Sequence, residues 1–206
     1  MTEDNATPQE QGIPIYDPQR DNPPRMELMI ARAASIQAYA HVEQSLAMLF
    51  STLLGTNMEI TGIVFFRIVN TRSRIAIFED LIKKRYTTTY DLFWTSVAKL
   101  LQNLDTRRNE IIHWQLVQSL SGGDPPTSIF TLMPPNFWAN ANRRSISASD
   151  LNIFTDKCDF ISRLLNIFNL ALGGGLDAER GKPWFEIFQQ PVVYPPPDTH
   201  PLYRKP

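Results

Sequence analysis

The segment Arg107-Arg108-Asn109-Glu110-Ile111-Ile112-His113-Trp114 holds the residues of this chain best suited to chemistry. Arginine presents a planar fork of donors that clamps a phosphate. Histidine exchanges a proton near neutral pH. Cleavage of RNA without a metal needs a base for the 2′-hydroxyl, an acid for the leaving oxygen and charge stabilisation at the phosphate. His113 suits the proton transfers and Arg108 the phosphate, while Asn109 can orient either group or the RNA. No other segment offers a comparable set.

These residues fall at the end of a helical pattern running from about Thr89 to His113, with Phe93, Val97, Leu100, Leu101, Leu104, Ile111 and Ile112 as its apolar stripe. Asn109 and His113 are four apart and share a face, with Asp105 one turn earlier. Arg108 is turned about 100° from Asn109, so Arg108 and His113 do not converge within one helix. They converge if the same helix of a second subunit crosses here, which predicts a homodimer through this helix and the one before it. The plainer reading gives Arg108 a salt bridge to Asp105 and makes His113 an ordinary helix-end residue.

The preceding pattern, 61–85, reads as one helix that is apolar on two sides, with Ile63, Phe66, Ile77, Phe78 and Leu81 on one stripe and Val64, Ile68, Ile75 and Ile82 on another. Arg67, Asn70 and Arg74 share a face within the first stripe. Polar groups on a core stripe need partners. Arg74 and Asn70 are therefore expected to line the same polar cleft as Arg108, with Glu43 balancing the charge; the plainer reading is a structural pairing with Glu43.

Helical spacing also predicts a first helix from about Pro24 to Leu54, stopped by Gly55, and a last main helix from Ser147 to about Leu172, ended by Gly173-Gly174-Gly175. Ser147 and Asp150 have the spacing of a capping box. Between the third and last main helices, the turn Ser121–Pro126 joins Trp114–Leu120 to Thr127–Met133 as a β-hairpin. A polar loop over 134–149 follows, in which Phe137 and Trp138 with Arg143 and Arg144 have the makeup of a single-strand stacking surface or of a loop that caps the core. The expected organisation is a polar, extended arm over 1–23, a single helical domain over 24–190 with an insertion at about 114–149, and a proline-rich, extended tail over 191–206. The aromatic residues Trp184, Phe185 and Phe188, with Ile187 among them, are expected to pack on the helices or on a second subunit, and His200 to be solvated.

The net charge of −1 excludes a strong overall field for nucleic acid. The distribution is less even: residues 1–30 carry six acidic and two basic side chains, whereas 60–115 carry nine basic and five acidic ones. The middle of the chain is thus mildly basic. Cys158 is the single cysteine, which excludes an internal disulfide and a cysteine-based zinc cluster, and its apolar surroundings predict an inert core thiol. His41 and Glu43 lack a third ligand, so no metal or cofactor is expected. The apolar runs are too short to span a bilayer, and the N-terminus has no apolar signal core. A soluble chain in a reducing compartment, the cytoplasm, without membrane contact, is the expectation.

With Arg108-Asn109-Glu110-Ile111-Ile112-His113 late in the third main helix, the chain resembles the HEPN superfamily over roughly residues 26–172. The resemblance implies a mainly α fold, here a four-helix bundle with a small β-hairpin insertion before the last main helix. It also implies a dimer with an Arg-x4-6-His motif. Many such proteins are metal-independent ribonucleases, often toxins or defence proteins, which implies RNA as substrate and a cognate protein inhibitor as a further partner. Others are non-catalytic modules that bind RNA or protein, and that alternative stands beside the nuclease reading. An acidic residue in the first helix corresponds to Glu43. One subgroup has a tyrosine two positions after the histidine that a partner enzyme modifies; Gln115 stands there in this chain.

Overall fold

A computed structural model describes residues 22–123, 126–136 and 144–204. The arm over 1–21 and the loop residues Phe137, Trp138 and Arg143 lie outside the described residues. The described chain is mainly helical, with one two-stranded antiparallel sheet.

Helix α1, Pro23–Leu54, begins with prolines in its first turn and ends at Gly55, whose φ of 67° is left-handed and suits glycine. One side of α1 carries small residues, among them Ala31, Ser35, Ala38 and Ser45, all buried. This lets α5, Ala148–Leu172, lie closely against it. The two run parallel. The Ser35 hydroxyl lies 3.0 Å from the Leu151 carbonyl and 3.2 Å from Thr155 Oγ1, and Ser45 Oγ lies 2.9 Å from Ser162 Oγ. Hydroxyls buried in this seam are thus satisfied across it. The predicted capping box starts α5: Ser147 Oγ accepts from the Asp150 backbone N–H, and Asp150 Oδ2 accepts from the Ser147 N–H at 2.8 Å. These bonds to Ser147 hold the Asp150 carboxyl below its ordinary value.

The single helix expected over 61–85 is two helices. Helix α2, Met58–Phe65, stops short, and α3 runs over Thr71–Tyr86. Asn70 is the reason for the restart: its side-chain oxygen accepts from the Arg72 and Ser73 backbone N–H groups, an N-cap in what read as mid-helix. Arg67 falls in the break between the two, so Arg67, Asn70 and Arg74 do not share one helix face. The core-facing residues Phe65, Phe78 and Ile82 are buried, whereas Met58, Ile60, Ile63, Val64, Phe66 and Val69 are exposed. The apolar residues of α2 and of the break after it that point away from this core therefore have no cover among the described residues, whereas Ile75 and Ile82 of α3 are buried.

Helix α4, Asp91–His113, runs antiparallel to α1, with Phe93, Trp94, Val97, Leu101, Leu104 and Ile111 buried. Strands β1, Gln115–Leu120, and β2, Ser128–Met133, form the predicted hairpin, with Gln115 opposite Met133. Leu132 also exchanges two backbone hydrogen bonds with Ile146, which ties the hairpin to the start of α5.

A further helix not expected from the sequence, α6, covers Ala178–Ile187. It brings Phe188 into the core, 5.0 Å from each of the Phe93 and Phe168 ring centroids. The chain after it folds back rather than extending away: the Val192 N–H donates to Ser96 Oγ at 2.7 Å, and Val192, Tyr194 and Leu202 pack against the core. His200 is half-buried beside Phe160 and Trp184, not solvated, and burial lowers its pKa. Cys158 is buried, and desolvation pushes its thiol up to about 12, so it stays protonated. No single described helix is long and apolar enough to cross a membrane.

Candidate functional site

Ile111 is fully buried and anchors the last turn of α4, which leaves Asn109 and His113 exposed on one side. That turn is held from two directions. Arg107 Nη1 donates to Glu110 Oε2 at 2.8 Å, an ion pair along the helix. From α1, Arg32 Nη2 donates to the Ile112 carbonyl at 2.8 Å and to the Trp114 carbonyl at 3.3 Å. A helix C-terminus leaves its last carbonyls without intrahelical donors, and a guanidinium is well matched to them in both charge and geometry. Arg32 therefore fixes where α4 ends, and with it the placement of His113.

Arg108 is half-buried. Its Nη1 donates to Asn109 Oδ1 at 3.0 Å, and its guanidinium carbon lies 5.7 Å from the Tyr39 ring centroid. The salt bridge to Asp105 expected on the plainer reading is not formed; Asp105 Oδ1 instead accepts from the Tyr39 hydroxyl at 3.0 Å. Burial first, then the charge of Asp105 and its hydrogen bond, raise the Tyr39 pKa, so Tyr39 remains a donor across the biological pH range. The ring of Tyr39 supports the arginine from one face while its hydroxyl orients the adjacent carboxylate. Arg108, Asn109, Asp105 and Tyr39 form one connected group. His113 makes no side-chain hydrogen bond to a described residue, and its place five positions on along α4 sets it about 140° around the helix from Arg108.

Arg74 and Glu43 do pair, Nη1 to Oε1, at 2.7 Å, with the Arg74 side chain only 11% exposed. Arg74 Nε also donates to the Ile68 carbonyl, and the guanidinium sits 4.6 Å from the Phe65 ring centroid. This arginine thus pins the break between α2 and α3 onto α1. The pair lines a small cavity together with Tyr39 and Leu101, so it adjoins the Arg108 group through Tyr39. Asn70 is engaged in capping α3. His41 is exposed beside Gln37. Among the described residues no three His, Cys, Asp or Glu side chains cluster as metal ligands.

Sequence reading passed over Arg32 and Tyr39, although a signal was present. Residues 32, 39 and 43 are spaced i, i+7, i+11 and occupy one row of α1. No family model, curated protein or solved structure matches this chain.

Proposed function

We propose that this protein is a metal-independent endoribonuclease of the HEPN kind, a four-helix bundle with a hairpin insertion that acts as a homodimer. The observation that carries the reading is the constellation at the end of α4: an arginine oriented by Asn109 and Tyr39, and an exposed histidine on the adjacent face of the same helix. Two copies of α4 crossing at this end supply two arginines and two histidines to one cleft. Arg108 then stabilises the phosphate as it gains charge, and His113 transfers the protons of the 2′-hydroxyl and the leaving oxygen. The uncovered apolar residues of α2 and of the break after it support a second copy as the missing cover. RNA is the substrate under this reading, and a cognate protein inhibitor is its natural regulator.

The reaction yields a 2′,3′-cyclic phosphate and a free 5′-hydroxyl. Labelled RNA incubated with the protein in EDTA should give these ends, and a strand with 2′-deoxyribose throughout should resist. Cleavage that needs a divalent ion, or that proceeds on the deoxy strand, refutes the proposal. A second reading, a non-catalytic module that binds RNA or protein through the same face, is favoured by the separation of Arg108 and His113 within one protomer.

A further inference from the structure

The outer face of α5 and the returning C-terminal segment enclose a groove of about 670 Å3. Ligand sites for small molecules typically fall at roughly 300–1,000 Å3. The groove is built from residues that the α4 constellation does not use. Three aromatic rings line it: Phe160 from α5, and Tyr194 and Tyr203 from the segment after α6. Phe160 and Tyr194 lie 5.5 Å apart, centroid to centroid, at 51°. Four charged side chains line it too, Asp156, Asp159 and Arg163 on α5, and Arg204. None of the four makes a hydrogen bond or ion pair with another described residue.

Charges of both signs that share a groove without pairing leave donors and acceptors open to a ligand. The chemistry narrows that ligand. Two guanidinium groups suit a phosphate. Two carboxylates accept from hydroxyl or amino N–H groups. The exposed Tyr203 ring offers a face on which a planar base stacks, beside Tyr194, which packs on Phe160 with Lys157 Nζ 5.6 Å from its centroid. We propose that this groove binds a nucleoside monophosphate unit, with the base against the rings, the phosphate on Arg163 and Arg204, and the ribose hydroxyls or the base amino group on Asp156 and Asp159. This site is separate from the α4 constellation and does not depend on that segment being catalytic.

The test is calorimetric titration of the full chain with AMP, adenosine and inorganic phosphate. Wild type should bind one AMP per chain, saturably, and at least tenfold more tightly than either fragment. Arg163→Ala and Tyr203→Ala alter exposed residues and should leave thermal melting unchanged, yet each should weaken AMP by about tenfold or more, since a charge-assisted bond or a stacked base is lost. His113→Ala should bind AMP as wild type does, which keeps this result distinct from the fate of the nuclease reading. Absence of saturable AMP binding, adenosine binding as tight as AMP, unweakened binding by both variants, or loss of binding in His113→Ala each overturns the proposal. Saturation by a proline-rich peptide but not by AMP would overturn it as well, by assigning the groove to a different ligand.

Discussion

Under the proposed reading, Arg108 is prepared for an anion by neighbours on two helices, its own and α1. Tyr39 lies under its guanidinium and Asn109 fixes one end of the fork. Arg108→Lys keeps the charge but removes the fork, and cleavage should fall sharply while melting is unchanged. Tyr39→Phe leaves the ring but strips Asp105 of its donor; a half-buried acceptor without a partner costs about 1–3 kcal/mol, readable in urea denaturation. His200 provides a pH test. Burial lowers its pKa in the folded chain, so the unfolded chain binds the proton more readily. Stability from this residue is fully present above the unfolded value of about 6.5 and is lost as pH falls from there through the lowered folded value. His200→Phe, which keeps a ring between Phe160 and Trp184, should remove that component of the melting-temperature profile between neutral and mildly acidic pH. Equal pH profiles for the two proteins would refute this assignment.

The helix ends are set by local chemistry. Ser147→Ala removes one half of the α5 capping box and should lower stability by about 0.5–2 kcal/mol in denaturant titrations. This cap, the Gly55 stop and the hairpin were legible in the sequence, because each depends on neighbours a few residues away, and the span of α4 was legible from its apolar repeat. The break between α2 and α3 was not, because the apolar repeat continues across it while Asn70 satisfies α3's first N–H groups. An asparagine inside a charged, apolar repeat was the available hint. The partners of Arg108 and of the α4 terminus were legible only as residue types, since Tyr39 and Arg32 reach them across gaps of more than sixty residues. The reversal of the C-terminal segment was hidden for the same reason: prolines argued for extension, but Val192, Tyr194 and Leu202 find cover on the core.

At the scale of the whole molecule, the proposed reaction needs two copies to complete what one lacks. Among the described residues of one protomer, Arg108 and His113 stand on different sides of α4, and Met58, Ile60, Ile63 and Val64 of α2 are exposed. Sedimentation across a concentration series should therefore give the mass of a dimer, and Ile63→Glu on the exposed side of α2 should shift it toward the monomer and reduce cleavage together with dimerisation. A monomer at all concentrations would remove the composite cleft. The most direct measurement is RNA cleavage in EDTA by wild type and by His113→Ala at equal concentration, with melting curves to establish that both are folded. Because His113 is exposed and holds no structural hydrogen bond among the described residues, its loss should leave the fold intact. Removal of a general acid–base group typically lowers the rate by about 10²–10⁴-fold, and a loss of that order is the predicted result. Equal cleavage by the two proteins, or no cleavage by wild type, would contradict the account.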